Sequence, residues 1–521
     1  CFLDHLPKAC LSHGGSVVDL LTNVNGIYPL KTSTIPVMPH TQIQKNRERL
    51  TQGPIARSLL LLAWPIMLSN LFQTVYNVVD TLWLGRLGKV AVAAPTLAWP
   101  LIFLVISLGA GVTIAGTALV AQYTGARRHE EANHAAGQVF AFAGILAVLL
   151  AVGGAMAARP LIVLMGAGPD LLESAASYLR IIYAGIPALF GLFIVTALLN
   201  GVGDTITPMK LMGVSVVLNI LLDPLFIFGW GPFPEWGIAG AAVATLISRG
   251  VVALYGIYLL FSGRIGIHLR PHHLRLHWRT IKHILAIGIP ASLGQTGTAL
   301  GFSIMTGILA RFGTAVVSAF GIGNRIISIM IMPAMGLGQA TATMVGQNLG
   351  AKKTRRAEQS AWAGMGISTA FLVAGSIAVY FLRDSLVRIF LDDPEVIALG
   401  AQMFAITAMA FPFMGILQVI IGTYQGSGHT VYSMFFSLFR LWGIRIPLVY
   451  FLGFTLAMGA NGVWWAMFIS NLGTSILSIA FFLSGNWKHR VIKEEPLMIE
   501  PIPVNARSSE TIVEDSHPLQ R

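Results

Sequence analysis

The chain has 521 residues, of which 55% are hydrophobic and 11% are charged, whereas about 25% of the residues of an ordinary soluble domain are charged. This composition excludes a soluble globular protein and indicates a chain that lies mostly in a lipid bilayer. The formal net charge of +12 does not indicate a nucleic-acid partner, because the basic residues alternate from loop to loop and form no single patch.

The N-terminal segment, residues 1–57, contains both cysteines of the chain and no continuous apolar stretch, so it is not typical of a signal peptide. We predict that this segment is cytoplasmic and disordered, and that Met38 is the native start. Because Cys1 and Cys10 precede the first predicted span, a disulfide between them cannot staple the membrane domain.

Apolar runs of about 20 residues, the length that crosses a bilayer as a helix, recur from residue 58 to residue 484. The predicted spans of the N-terminal lobe, 58–262, are 58–82, 91–121, 133–157, 175–200, 208–229 and 238–262. Those of the C-terminal lobe, 283–485, are 283–311, 316–346, 358–382, 396–422, 432–453 and 460–484. We therefore predict an all-α membrane protein of twelve transmembrane helices, built as two six-helix repeats that form two lobes around a central cleft.

Residues 263–282 join the lobes, and five histidines lie in or beside this linker, at 268, 272, 273, 277 and 283. No acid or cysteine stands among them, so we predict a solvated linker and no metal site. Residues 486–521 are polar and contain proline, which predicts a disordered cytoplasmic tail. The loops on the N-terminal side hold 16 Lys and Arg and the opposite loops hold 6, so both termini are expected in the cytoplasm.

The two halves of the sequence are copies of each other. Sliding the sequence over itself by 225 residues aligns them without a gap over a long stretch. Among the matching pairs are Pro65 with Pro290, Gly111 with Gly336, Gln122 with Gln347, Gly125 with Gly350 and Gly201 with Gly426. Each copy has an even number of spans, so the copies are parallel, and parallel repeats in transporters have a substrate cavity at or beside their junction.

Two acids within the predicted spans are not shared by the copies. Asp80 falls on Met305, and the region that corresponds to Asp223 has no acid. A carboxylate in a spanning helix costs about 3 kcal/mol, so by default it marks a site or a pathway. Asn219 stands four residues before Asp223, one helical turn away, where the two side chains can share a proton or an ion.

Three further polar residues stand on the same helical face as Asp80, since Ser69, Gln73, Tyr76 and Asp80 are spaced by 4, 3 and 4 residues. We expect this face to point inward. The alternative is that the two acids are structural caps or form ion pairs with Arg180 or Arg249. Arg440 and Arg445, in the eleventh predicted span, snorkel or balance charge, and their role stays open.

The turn at residues 201–205 offers a comparison with an enzyme. The residues Gly201, Gly203 and Asp204 match the Gly-x-Gly-Asp motif of intramembrane aspartyl proteases. Those proteases also use a Tyr-Asp pair, and in this chain no Tyr is directly followed by Asp. The copy of Asp204 is His429, in a turn that otherwise matches. We therefore predict a structural turn and no enzymatic activity, with the protease as a remote alternative.

The chain resembles the multidrug and toxic compound extrusion (MATE) family, and within it the DinF-like branch. The resemblance rests on Pro65 with Gln73, Tyr76 and Asp80, on the turn 201–208, on Asn219 with Asp223 and Pro224, and on the repeated Gln122 and Gln347 loops. Members similar to the NorM branch place acids in the seventh and tenth spans, where this chain has neither Asp nor Glu.

The resemblance implies export of organic, often cationic, compounds in antiport with H+ or Na+, by alternating access of the two lobes. It implies that Asp80, Asp223 and Asn219 bind the coupling ion, with Na+ possible at the two acids, and that no structural metal and no cofactor are needed. The residues expected to line the substrate cavity are Gln73, Tyr76, Asn77, Asn200 and Thr245. We expect small toxic organic compounds and the lipid bilayer as partners, a monomer, and a multi-pass protein of the inner cell membrane.

The alternative within the same superfamily is a flippase for lipid-linked oligosaccharides. Such a carrier is expected to hold a diphosphate with several Arg or Lys in its first half. The first predicted span has no basic residue between Arg57 and Arg86, which favours an exporter of cations or neutral compounds.

Overall fold

The computed structural model describes residues 40–230 and 233–492, and all of these belong to one compact unit. Within these ranges the regular structure is helical, without any strand, which confirms the all-α fold class. The predictions for residues 1–39, including Met38 as the start, and for residues 493–521 lie outside the described residues.

The helices that cross the bundle form two sets of six, which we number α1 to α12. The first set is α1 Ile55–Leu87, α2 Lys89–Gly125, α3 His129–Leu164, α4 with its two parts Pro169–Ala184 and Ile186–Val202, α5 Ile206–Phe228 and α6 Gly237–Ser262. The second set is α7 Trp278–Leu309, α8 Thr314–Gly350, α9 Thr354–Arg388, α10 Pro394–Ser427, α11 Thr430–Thr455 and α12 Ala460–Leu483. Each predicted span falls within or overlaps one of these helices.

Ten of the described helices are long and apolar enough to cross a membrane, and α4, bent by 44°, counts as an eleventh span. The remaining helix, α7, has 32 residues and so has the length to cross, although small and polar residues interrupt its apolar run. The break in α4 recurs in α10, because Pro187 and Pro412 occupy the same place in the two copies and neither has an amide proton for the helical hydrogen bond.

Each set of six helices has an apolar core of its own, yet the first helix of each set also packs on the other set. In α1, Leu59 and Leu62 share a buried cluster with Ala340 and Met344 of α8. The helix α1 also packs on α5 of its own set, where the ring of Phe72 lies against Gly213. The helix α1 therefore spans the boundary between the lobes.

The helix α7 repeats this arrangement, since its first half packs on α2 and its second half on α11. A glycine stands at each crossing. A methyl group on Gly111 would lie 2.3 Å from the carbonyl oxygen of Gly288, and one on Gly336 would lie 2.6 Å from Cγ of Met67. The repeated glycine pair found in the sequence thus permits the same close helix crossing in both copies.

A helix at His40–Gln52 precedes α1, so the prediction of disorder over residues 1–57 is wrong for this part. Its last turn is held from outside, because Asn348 donates a hydrogen bond to the carbonyl of Leu50 over 3.2 Å. The guanidinium of Arg47 donates to a carbonyl at the end of α2 over 3.3 Å. These contacts come from distant segments, so the polar composition of the helix gave no sign of them.

The linker 263–282 packs against the N-terminal lobe, so the prediction of a solvated linker is wrong for its central part. Three apolar side chains anchor it in the core, namely Ile265, Ile267 and Leu269. The amide of Gln138 in α3 donates to the carbonyl of His273 over 2.8 Å. Alternating apolar residues and a buried polar anchor in α3 together fix the linker to its lobe.

The tail predicted to be disordered, 486–521, begins with an ordered part at 486–492. Trp487 is fully buried, and the backbone amide of Val491 donates to Oε1 of Gln122 over 3.0 Å. The prediction is wrong for these residues because their contacts are with helix ends far away in the sequence.

Candidate functional site

A cavity of about 1120 Å³ lies between the two lobes, as the parallel repeat predicts. Its wall is formed by α2 and α4 of the first set and by α7, α8, α10, α11 and α12 of the second. The lining is mainly apolar and includes the aromatic rings of Trp99, Phe103 and Phe302. Of the residues predicted to line the cavity, Asn200 does so. The other four lie outside this wall, so a role in the cavity stays a prediction for Gln73, Tyr76, Asn77 and Thr245.

The polar face of α1 lies outside the cavity wall. Its hydrogen bonds run along α1 and to α6. The hydroxyl of Tyr76 lies 2.5 Å from the hydroxyl of Thr245 in α6. The amide of Gln73 donates to Oδ1 of Asn77 along α1 over 3.2 Å. Helical periodicity tells which residues share a face, but not which neighbour that face meets.

The two acids lie in the N-terminal lobe, outside the cavity wall. Asp223 is fully buried, and its Oδ1 accepts a hydrogen bond from Nδ2 of Asn219 over 3.0 Å. Asp80 is partly buried, and the charges of Asp80 and Asp223 are close enough to interact. Oδ1 of Asp80 and Oδ2 of Asp223 are buried and have no hydrogen-bond partner among the described residues. The site thus offers two carboxylate oxygens that a proton or a cation can satisfy.

Two further residues surround the acids. The guanidinium of Arg249 lies over the ring of Tyr76, 4.8 Å from its centroid. The phenol of Tyr178 in α4 interacts electrostatically with both acids, and sequence reasoning missed it. Its counterpart in the second copy is Met403, so a comparison of the copies identifies Tyr178 as an unshared polar residue.

The alternative that the acids are locked in ion pairs does not hold among the described residues. In the described part of the chain, no ion pair within 4.0 Å joins Asp80 or Asp223 to an arginine. Arg249 acts on Asp80 electrostatically without a hydrogen bond between them. The acids therefore keep free acceptor atoms.

The cavity is closed at the end of the bundle that carries the helix His40–Gln52. Here the ends of α2 and α8 meet in a contact that we call the interlock, formed by Gln122, Gly125, Gln347 and Gly350. The amide of Gln122 donates to the carbonyl of Gly426 over 3.2 Å. In the equivalent contact, Gln347 donates to the carbonyl of Gly201 over 2.9 Å. The glutamines that repeat in the sequence thus tie each lobe to the glycine-rich turn of the other.

Asp204 lies in the turn before α5, as predicted. Its Oδ1 accepts hydrogen bonds from the backbone amides of Ile206 and Thr207, each over 3.1 Å. These amides lack partners within the helix, so the carboxylate caps the start of α5.

We expect Asp204→Ala to lower the free energy of unfolding by about 1 kcal/mol, because the cap is lost. Asp204→Asn should cost less, since its amide oxygen accepts the same two bonds. Thermal unfolding of the purified variants in detergent checks both. Complete loss of transport in a normally stable Asp204→Asn variant would contradict a purely structural turn.

A second polar cluster joins the linker to α3. The side chains of Glu130, His272 and His273 place their ligand atoms within 4.8 Å of one another. Nε2 of His273 lies 2.8 Å from Oε1 of Glu130, and its Nδ1 accepts a bond from the amide of Arg270 over 3.1 Å. Burial lowers the pKa of His273, so the ring is neutral at pH 7 and carries its proton on Nε2. A metal ligand needs that nitrogen unprotonated, so we interpret the cluster as a hydrogen-bonded contact.

The duplicated helical bundle, with a cavity between its two lobes, is similar to known proteins. The MatE family model matches residues 65–225 and 290–451, one segment in each copy, and the two segments begin 225 residues apart. The chain belongs to the MATE family. This confirms the predicted family and a multi-pass membrane transporter, not an enzyme, while the DinF-like branch stays a prediction.

Individual relatives agree with the MATE assignment. "Probable multidrug resistance protein YoeA" of Bacillus subtilis is 28% identical over 453 residues, which are 85% of this chain and 97% of the relative. "Probable multidrug resistance protein NorM" of Thermotoga maritima is 30% identical over 443 residues, 84% of this chain and 94% of the relative. A solved "outward-facing conformation of a multidrug resistance MATE family transporter" superposes with a TM-score of 0.79 at 25% identity, over 84% of this chain and 97% of that one. At the level of the family, the predicted multidrug efflux transporter is confirmed.

Proposed function

We propose that this MATE protein exports small organic compounds across the inner cell membrane in antiport with H+ or Na+. Both termini lie in the cytoplasm in this proposal, and the lobes expose the cavity to the two sides in turn. The cavity of about 1120 Å³ is large enough for a drug-sized compound, since ligand pockets measure about 300–1000 Å³. Its closed end is then the cytoplasmic one.

The acid pair is the observation that carries the proposed coupling. A buried carboxylate without a partner is costly, and a cation or a proton removes that cost. Asp80 and Asp223 each have one buried oxygen without a partner, and mutual repulsion of their charges favours uptake of positive charge. Asn219 holds Asp223 in place from one turn away.

Exchange requires that the ion and the compound each reduce the affinity for the other. Asp80 and Asp223 lie outside the cavity wall, so in this conformation a compound in the cavity does not touch the acids. The helix α1 offers the connection, because its first half packs on α8 of the other lobe and its second half carries Asp80. Ion binding then changes the position of α1 between the lobes.

The test is accumulation of a fluorescent xanthene dye by liposomes that contain the purified protein. A pH gradient and a Na+ gradient are imposed separately. We expect uphill accumulation with one of them and none when both ions are at equilibrium. Accumulation that is indifferent to both gradients would contradict antiport. Movement of a labelled polyprenyl lipid in place of the dye would favour the flippase.

A further inference from the structure

Two arginines of α11 line the cavity, and sequence reasoning left their role open. Arg445 is 3% exposed, and Arg440 is half-buried. Both stand in the cavity wall, which among the described residues contains no Asp, Glu, Lys or His. The protein therefore gives the cavity two positive charges and no negative one.

A local change of helix type brings the two arginines together. Residues five apart in an α-helix are rotated by about 140° from each other, since each residue turns the chain by about 100°. The segment Phe439–Arg445 is instead a π-helix, in which hydrogen bonds join residues five apart. Arg440 and Arg445 are five apart, so the wider turn places both on one side of α11. Such segments are frequent at functional sites.

The hydrogen-bond partners of the arginines are neutral. Nε of Arg445 donates to Oγ of Ser470 over 2.9 Å, and one terminal nitrogen of Arg440 donates to Oδ1 of Asn471 over 3.3 Å. Nε of Arg440 is buried without a partner in the described part of the chain. The two guanidinium groups also interact with each other as like charges. A buried pair of this kind is costly unless an anion joins it.

The comparison of the two copies supports a functional role for the two arginines. The corresponding stretch of the first copy, residues 211–248, contains no arginine or lysine. The scaffold therefore does not need arginine at these positions. The same comparison singled out Asp80 and Asp223, which lie in the other lobe.

We propose that Arg440 and Arg445 bind an anionic group, such as a carboxylate, sulfonate or phosphate, of the compound that the protein exports. Guanidinium groups recognise such oxyanions through paired, charge-assisted hydrogen bonds. The apolar body of the compound lies against the aromatic wall formed by Trp99, Phe103 and Phe302. This inference rests on the proposed export function and names its substrate class, an amphipathic compound with a negatively charged end.

The test compares two ligands that differ in one charge. One is a xanthene dye with a free carboxylate, and the other is the methyl ester of the same dye. Binding of each to the purified full-length protein is followed by fluorescence anisotropy. We expect the wild type to bind the carboxylate at least about tenfold more tightly than the ester, because hydrogen bonds to charged groups are the strong ones. Equal affinities, or tighter binding of the ester, would overturn the assignment.

Variants show which residues cause the preference for the carboxylate over the ester. Arg440→Gln and Arg445→Gln should each reduce the affinity for the carboxylate about tenfold and change that for the ester little. Arg440→Lys keeps the charge and should retain most of the preference. The matched control is Arg388→Gln, which removes a positive charge from an exposed residue of the same lobe outside the cavity. A preference that survives in both glutamine variants would place the anion elsewhere.

Further outcomes separate this inference from the proposed export function. Preference for the carboxylate without gradient-driven transport supports the anion site and contradicts the exporter. Transport of the ester without that preference does the reverse. Flipping of a labelled polyprenyl diphosphate that is lost in Arg440→Gln would assign the anion to a lipid. Chloride as the sole partner would give no preference for the carboxylate, which would overturn the assignment.

Discussion

Asp223→Asn should reduce ion-driven export to the level of protein-free liposomes. The substitution keeps the size of the side chain and its contact with Asn219, but it removes the charge that takes up a proton or a cation. Asp80→Asn should have the same effect, because the two charges interact. Dye accumulation under the imposed gradients measures both.

Two controls separate coupling from binding and folding. Asp170→Asn removes an exposed acid from the first turn of α4 and should leave export unchanged. Asp223 lies outside the cavity wall, so purified Asp223→Asn should still bind the dye, but with an affinity that no longer changes with pH or Na+. Full gradient-driven export by either Asp80→Asn or Asp223→Asn would remove that acid from the mechanism.

Gly125→Val should open the closed end of the cavity. A Cβ atom at Gly125 would lie 1.9 Å from the carbonyl oxygen of Gln347, and Gly350 meets Gln122 at the same distance. Overpacking of this kind costs about 1–3 kcal/mol, which moves an equilibrium between two conformations by about 5- to 150-fold. The state closed at the interlock is therefore depopulated.

Thiol labelling measures this opening. Cys1 and Cys10 are replaced by serine, and Gln339→Cys places a reporter on an exposed residue of the cavity wall. An impermeant maleimide added on the interlock side should react about tenfold faster in Gly125→Val. Gly144→Val is the control, since a Cβ atom there meets nothing within 4 Å. Unchanged labelling in both Gly125→Val and Gln122→Ala would show that the interlock does not hold the cavity shut.

The repeat and the apolar runs predicted the fold because both depend on local sequence. Twelve spans, two parallel copies and a cavity at their junction follow from hydropathy and one constant offset. The offset also found Gln122 and Gln347 before their contacts were known. Burial of the linker and of the segment at Trp487 could not be predicted, because their partners are far apart in the sequence.

The site was predicted in part. Comparison of the copies found Asp80 and Asp223, and the same comparison applied to every polar residue would have added Tyr178. The location of Tyr76 and Thr245 outside the cavity wall could not be predicted, because periodicity does not tell which neighbour a helix face meets. The relation between Arg440 and Arg445 was hidden as well, since a regular α-helix would turn them apart and no propensity predicts a π-helix.

The reciprocal crossing of α1 and α7 has a consequence for the origin of the chain. Gly111 and Gly336 make the same contact in opposite directions, so one six-helix copy beside a second identical copy would reproduce both crossings. That arrangement is a two-fold symmetric homodimer in which the first helix of each subunit packs against the other subunit. The present protein thus has the geometry of such an exchanged dimer joined into a single polypeptide, within which the halves became free to differ, as they do at the two acids and at the two arginines.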